Sequence, residues 1–230
     1  FDYLAPLTGI SSNEAYPHQG GWAVMVPSLA VYQTWDGHDY RRAVSLDTTA
    51  VSSKLNGGNP VDYTQFNSID PINPNRPFIA KYHRYPGDNI SANGRESVLD
   101  YLLMRYAEVL LIAAEAAVEQ GDNGKAQMYL NKVRARARNG AQDYDSSKYP
   151  PSAFPADHTG TVTVEDVLEE RRLELAFEGK RWYDIVRRDL GQTAFSASGL
   201  EGEKPGFVYP DDYLIPIPAD EVVRNPNLGD

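Results

Sequence analysis

Between residues 99 and 139 the chain is written in helical spacing, and that run limits the fold more than any other feature. Leu99, Leu102, Leu103, Tyr106, Leu110, Ala113, Ala114 and Ala117 share one helix face, with Asp100, Arg105, Glu108, Glu115 and Glu119 opposite. Gly121 suits the left-handed residue that ends a helix. Asp122 or Asn123 then offers a cap for a second helix, whose inward face is Ala126, Tyr129, Leu130, Val133 and Ala137. The prediction is an antiparallel helical hairpin, and one hairpin cannot bury its own apolar face.

Gly121, Ala126, Leu130 and Val133, read with Leu110, Ala113 and Ala114 upstream, resemble half of a tetratricopeptide repeat, in which small residues let two helices approach closely. A generic helical hairpin explains the same residues.

Thr163, with Asp166 three residues on, makes a weak capping box for one further helix running from Val164 to Arg188. Val164, Leu168, Leu175 and Trp182 form its apolar stripe, widened by Leu173, Ala176 and Phe177. Glu170, Glu174 and Glu178 share a face, and stacked carboxylates can hold metals or act as acid and base. The di-metal pattern needs Glu-x-x-His, and this helix has no histidine; His18, His38, His83 and His158 all read as loop residues. Arg171, Arg172 and Arg181 are the expected ion partners of the acids. The row therefore reads as structural, with no catalytic residue, metal or cofactor expected. The phosphate-cradling, dinucleotide and serine-nucleophile motifs are missing from the sequence. A glycosidase, which needs only two carboxylates, stays open on motif grounds.

Residues 1–98 have no sustained period. Gly, Pro, Asn and Ser cluster at Gln19-Gly20-Gly21, Asn56-Gly57-Gly58-Asn59-Pro60 and Pro71-Ile72-Asn73-Pro74-Asn75, which are turn signals. A short helix is predicted from Pro27 to about Trp35. A short strand is predicted where Phe78, Ala80 and Tyr82 alternate with Ile79, Lys81 and His83. So long an irregular region is often functional. The division expected is a loop-rich, aromatic-rich region over 1–98 and a helical region over 99–230, together one domain.

The net charge of −10 argues against nucleic acid and against docking on an anionic membrane, and favours a neutral or cationic ligand. Cysteine is absent, which removes disulfides and thiolate chemistry. No apolar run is long enough to cross a bilayer. The chain opens Phe1-Asp2-Tyr3, without Met or a signal-peptide pattern, so a mature form or a fragment is expected.

Three segments together resemble the SusD/RagB family of outer-membrane nutrient-binding lipoproteins. Leu103-Met104-Arg105-Tyr106-Ala107-Glu108-Val109-Leu110-Leu111, followed by Ala114-Glu115-Ala116, is similar to one family helix. Glu169-Glu170-Arg171-Arg172-Leu173-Glu174-Leu175-Ala176-Phe177-Glu178-Gly179-Lys180-Arg181-Trp182-Tyr183-Asp184 resembles the family's long signature. Leu214-Ile215-Pro216-Ile217-Pro218, Glu221 and Asn225-Pro226-Asn227-Leu228 resemble its C-terminal ending, and Asp36-Gly37-His38-Asp39-Tyr40-Arg41 resembles, more weakly, a family turn.

The resemblance implies a mainly α fold of tetratricopeptide-like helical hairpins (an α–α superhelix, SusD-like) with long irregular loops and few short strands. Family members are considerably longer, so this chain would be a C-terminal half, and the signal peptide and lipid anchor would lie outside it. The implied role is non-catalytic: capture of oligosaccharides or other nutrients on the outer face of the outer membrane, for import through a SusC-like TonB-dependent transporter. Alternatives are a tetratricopeptide-like peptide-binding adaptor and a glycoside hydrolase. Sugar rings pair apolar C–H faces with a belt of hydroxyls, so aromatic platforms suit them. Trp22, Trp35, Tyr40, Tyr63 and Tyr82 are the candidate ligand residues, with core packing the competing role for each.

Overall fold

A computed structural model describes residues 7–9, 23–51, 59–69, 74–82, 101–140, 153–225 and 227. The chain forms two compact units, residues 1–182 and 183–230. The change of character expected at 98/99 lies inside the first unit, in a stretch outside the described residues.

In the first unit, α1 (Leu29–Thr34) begins at Ser28, whose side chain accepts from the Ala30 N–H, and stops at Trp35. The helix expected from Pro27 to Trp35 is therefore present, trimmed at both ends. Next, α2 (Tyr40–Ser45) is capped by Asp39 and leads into β1 (Leu46–Asp47) and β2 (Thr49–Val51). The strand β2 pairs antiparallel with β3 (Pro60–Asp62). A single 3₁₀ turn then enters α3 (Phe66–Ile69). The strand β4 (Phe78–Ile79) pairs antiparallel with β1, Leu46 opposite Ile79 and Asp47 opposite Phe78. The expected alternation of faces does not hold there: Phe78, Ile79 and Ala80 are all buried, as a strand covered on both sides requires.

The hairpin is α4 (Tyr106–Glu119) and α5 (Asn123–Asn139). Gly121 supplies the left-handed turn, at φ 71°, and Asp122 caps α5 by accepting from the Lys125 N–H at 3.0 Å. Leu110, Leu111, Ala114 and Ala117 meet Ala126, Leu130 and Val133, and Val162 and Val167 close the cluster.

Two expectations about α4 are corrected. The helix starts at Tyr106 rather than at Leu99, and Leu103 and Tyr106 are 76% and 72% exposed. The chain before it is held out of helical form by long-range contacts: Arg105, in extended conformation, donates to the Glu174 and Glu178 carboxylates, and Lys180 donates to the Leu103 carbonyl. Glu108 and Glu115, expected on the wet face, are buried; Lys180 lies 3.0 Å and Arg171 3.7 Å from the Glu108 carboxylate. Leu102, Leu103 and Met104 before α4, and Tyr106, Val109 and Ile112 on it, are exposed.

The single helix expected over 164–188 is two. The helix α6 (Val164–Glu174) starts with the complete Thr163–Asp166 capping box, and α7 (Arg181–Arg187) follows a turn. Phe177 and Gly179 in that turn have φ of 69° and 72°, which no right-handed helix accommodates. Breaking the helix frees carbonyls that must find donors. Lys81 donates to the carbonyls of Glu174 and Ala176, Tyr82 to that of Phe177, Tyr101 to that of Glu178, and Arg105 again to that of Glu174. The turn is thus built by side chains remote in sequence, which is why local periodicity misreads it. Trp182, expected in the apolar stripe, is only half-buried; Val167, Leu168, Leu175 and Ala176 carry the buried positions.

In the second unit, α8 (Gly191–Ala194) and α9 (Ala219–Arg224) flank a ring cluster. Phe207 meets Phe195 at 4.8 Å and Tyr213 at 6.0 Å between centroids. The Tyr213 hydroxyl accepts from the Gly191 N–H at 2.6 Å. A Cβ at residue 191 would lie 2.7 Å from the Tyr213 ring, so glycine is required by the close approach.

Candidate functional site

Glu170 and Glu174 of α6 are buried, with ion partners that come from elsewhere in the chain. Glu170 pairs with Arg41 at 2.6 Å and Arg134 at 2.8 Å. Glu174 pairs with Arg105 at 2.9 Å and Arg41 at 3.2 Å, with Arg136 further out at 3.6 Å. Glu178, beyond the helix end, pairs with Lys81 and with Arg105 at 2.8 Å. Arg172, on the same helix, pairs with Glu169 at 2.7 Å.

Arg41 is the hub. Asp39 caps α2 through the Arg41 N–H at 2.9 Å and also accepts from the same residue's guanidinium at 2.8 Å. Burial alone would lower the Arg41 pKa; Glu170, Asp39 and Glu174 outweigh it, and the net effect is a rise. Burial likewise would raise Glu174, but Arg136, Arg41 and Arg105 hold its carboxyl below the ordinary value. Lys81 goes the other way: desolvation exceeds the attraction of Glu178, and its pKa is lowered. With three acids each fixed between cations, the row is suited to holding elements together.

Beside this network lies a groove of about 600 Å³. One wall is the end of α1 and the turn after it, with Thr34 and Asp36; the floor is Arg41, Glu170 and Arg134; the other wall is the segment 154–160. That segment is strapped to one face of α5. Gln127 donates to the Gly160 carbonyl, Asn131 exchanges hydrogen bonds with the His158 backbone, Arg134 donates to Ala156, and Arg138 donates to Pro155. The spacing of the four donors is one helix stripe.

The five candidate aromatics separate. Trp35 is 2% exposed, packs in a cluster with Leu46 and Ala176, and donates its indole N–H to Asp39 at 3.1 Å. Tyr40 is half-buried, and its ring sits where a Cβ at Gly140 would come within 2.6 Å. Tyr63 is half-buried and meets Tyr32 edge-on at 5.3 Å between centroids. Tyr82 is half-buried with its hydroxyl spent on Phe177. Trp22 lies outside the described residues. Sequence reasoning missed Tyr32, which carries Arg42 over its ring at 3.9 Å; its position one helical turn before Trp35 was the available signal. It also missed the groove, because nothing local in residues 154–160 reveals a strap made from α5.

A profile of the SusD family matches residues 27–229. The chain belongs to the SusD family. A SusD-like protein of Formosa agariphila is 48% identical over 231 residues, covering 99% of this chain and 43% of that protein. Among solved structures, surface glycan-binding protein A from Bacteroides thetaiotaomicron in complex with laminarihexaose matches at TM-score 0.59 and 24% identity, covering 96% of this chain and 44% of that one. A laminarin-binding SusD-like protein matches at TM-score 0.59 and 25% identity, covering 94% and 41%. The mainly helical SusD fold is thereby established, and this chain spans less than half the length of the relatives it matches.

Proposed function

We propose that this SusD-family chain is part of a non-catalytic cell-surface protein that captures oligosaccharides for import through a SusC-like TonB-dependent transporter. The observation that carries the reading is the likeness, over nearly the whole chain, to a protein described as laminarin-binding. The ion network supports the absence of catalysis: Glu170, Glu174 and Glu178 are each held between basic side chains, which leaves none of them as a poised acid or base. The full-length protein is outward-facing on the outer membrane and anchored by lipid.

For ligand contact, Trp22, Tyr40, Tyr63 and Tyr82 remain the proposed aromatics, and Trp35, closed to solvent, is proposed as a core residue. Isothermal calorimetry of the full-length protein against neutral and charged glycans, laminari-oligosaccharides included, tests this. Saturable binding to at least one oligosaccharide is expected. Failure to bind any glycan, with binding of another nutrient, would overturn it.

A further inference from the structure

We infer that the groove between the α1–α2 turn, the 154–160 strap and α6 is a glycan subsite, and that it takes one neutral sugar residue of the oligosaccharide. The inference rests on the glycan-binding reading and adds where a ring sits and which charge class is admitted.

The groove's volume of about 600 Å³ falls within the range of small-molecule sites. Its walls offer the two surfaces a pyranose needs. The half-buried Phe154 and Leu173 provide apolar area for a C–H face. Asp36, Asp157 and Glu169 provide acceptors, with side chains 44%, 53% and 40% exposed. Each is bonded within the protein, to His38, Arg138 and Arg172, but an ionised carboxylate has about four acceptor positions and so retains capacity for hydroxyl donors.

The floor decides the charge class. Arg41 and Arg134 are committed to Glu170, and Arg134 also to the Ala156 carbonyl, so the cations are spent inside the protein. Among the described residues that line the groove, an anionic sugar meets three rim carboxylates and no uncommitted arginine. The site is also preformed: four α5 side chains fix the strap before any ligand arrives, which lowers the ordering cost of binding. His158 lines the groove, with Nδ1 buried and without a hydrogen-bond partner among the described residues, and so reports on occupancy.

The test uses the full-length protein and the neutral oligosaccharide that binds best in the panel. The shape-preserving pair Asp36→Asn with Asp157→Asn, and separately Phe154→Ala, are expected to weaken binding about tenfold at unchanged melting temperature. In a ¹⁵N-histidine spectrum, the His158 ring signals are expected to move as the wild-type protein is titrated. Should Phe154→Ala misfold, the rim pair and the histidine signal carry the test. If the wild type binds a glycan while both variants match it and His158 stays still, the groove is no subsite and the glycan-binding reading stands. Tighter binding of a uronic or sulfated oligosaccharide than of its neutral counterpart overturns the charge assignment. A wild-type protein that binds no glycan removes both.

Discussion

Arg41 lies 129 positions before Glu170 in the chain, and its guanidinium donates to the Glu170 carboxylate at 2.6 Å. This one contact joins the loop-rich first region to the family signature. With Asp39 and Glu174 also on the same guanidinium, three carboxylates almost closed to solvent share one buried cation.

Arg41→Met is therefore expected to cost about 3–5 kcal/mol, the cost of stranding buried charge rather than the net worth of an ion pair. The urea midpoint of unfolding measures it. A loss below about 1 kcal/mol would mean that Arg105 and Arg134 can neutralise the carboxylates without Arg41.

Acid should unfold the protein through the same network. Glu174 is held below its ordinary value of 4.5, with burial opposing and Arg136, Arg41 and Arg105 prevailing. The sign follows from which state takes the proton first. Above 4.5 both folded and unfolded states are ionised and the stabilisation is complete. As pH falls below that value the unfolded chain protonates first, and stability declines until the folded carboxyl is protonated too. Melting temperature followed from about pH 7 to pH 3 should be flat and then fall. Glu174→Gln should lower the plateau and soften the fall; an unchanged acid limb would exclude Glu174 as its source.

The approach of Tyr40 to Gly140 gives a packing test. A Cβ at residue 140 would stand 2.6 Å and 2.8 Å from two ring carbons, so Gly140→Ala forces the ring to move. About 1–3 kcal/mol of destabilisation is expected, as for other overpacked contacts. Tyr40→Ala made alone opens a gap, and the double variant should recover part of the loss. Strict additivity in the double-mutant cycle would show that the two sites are not in contact.

What was legible in the sequence was local. The α4–α5 hairpin, its turn at Gly121, the cap at Asp122 and the Thr163 capping box all depend on residues within one or two turns of each other, and spacing reveals them. The break between α6 and α7 was hidden because Lys81, Tyr82, Tyr101 and Arg105 make it, from far along the chain. Helical spacing offers the acids of α6 only the arginines of the same helix, whereas Arg41, Arg105 and Arg134, which pair with Glu170 and Glu174, come from elsewhere in the chain. Trp35 and Tyr82 look alike as aromatic candidates in a loop-rich region; burial against Leu46 and a hydroxyl committed to Phe177 distinguish them only in three dimensions.

The strap offers a last test, confined to one segment. Asn131 both donates to the His158 carbonyl at 3.1 Å and accepts from the His158 N–H at 2.7 Å, so a single side chain satisfies both backbone groups of that residue. Asn131→Leu removes both bonds while leaving the buried hairpin positions Leu130 and Val133 untouched. The expected cost is about 1–3 kcal/mol, from backbone groups left without partners. Hydrogen exchange should localise it: the His158 amide should exchange faster, while amides in the middle of α4 and α5 keep their protection. Faster exchange spread evenly over both helices would instead mean that the strap is part of the hairpin's own cooperative unit.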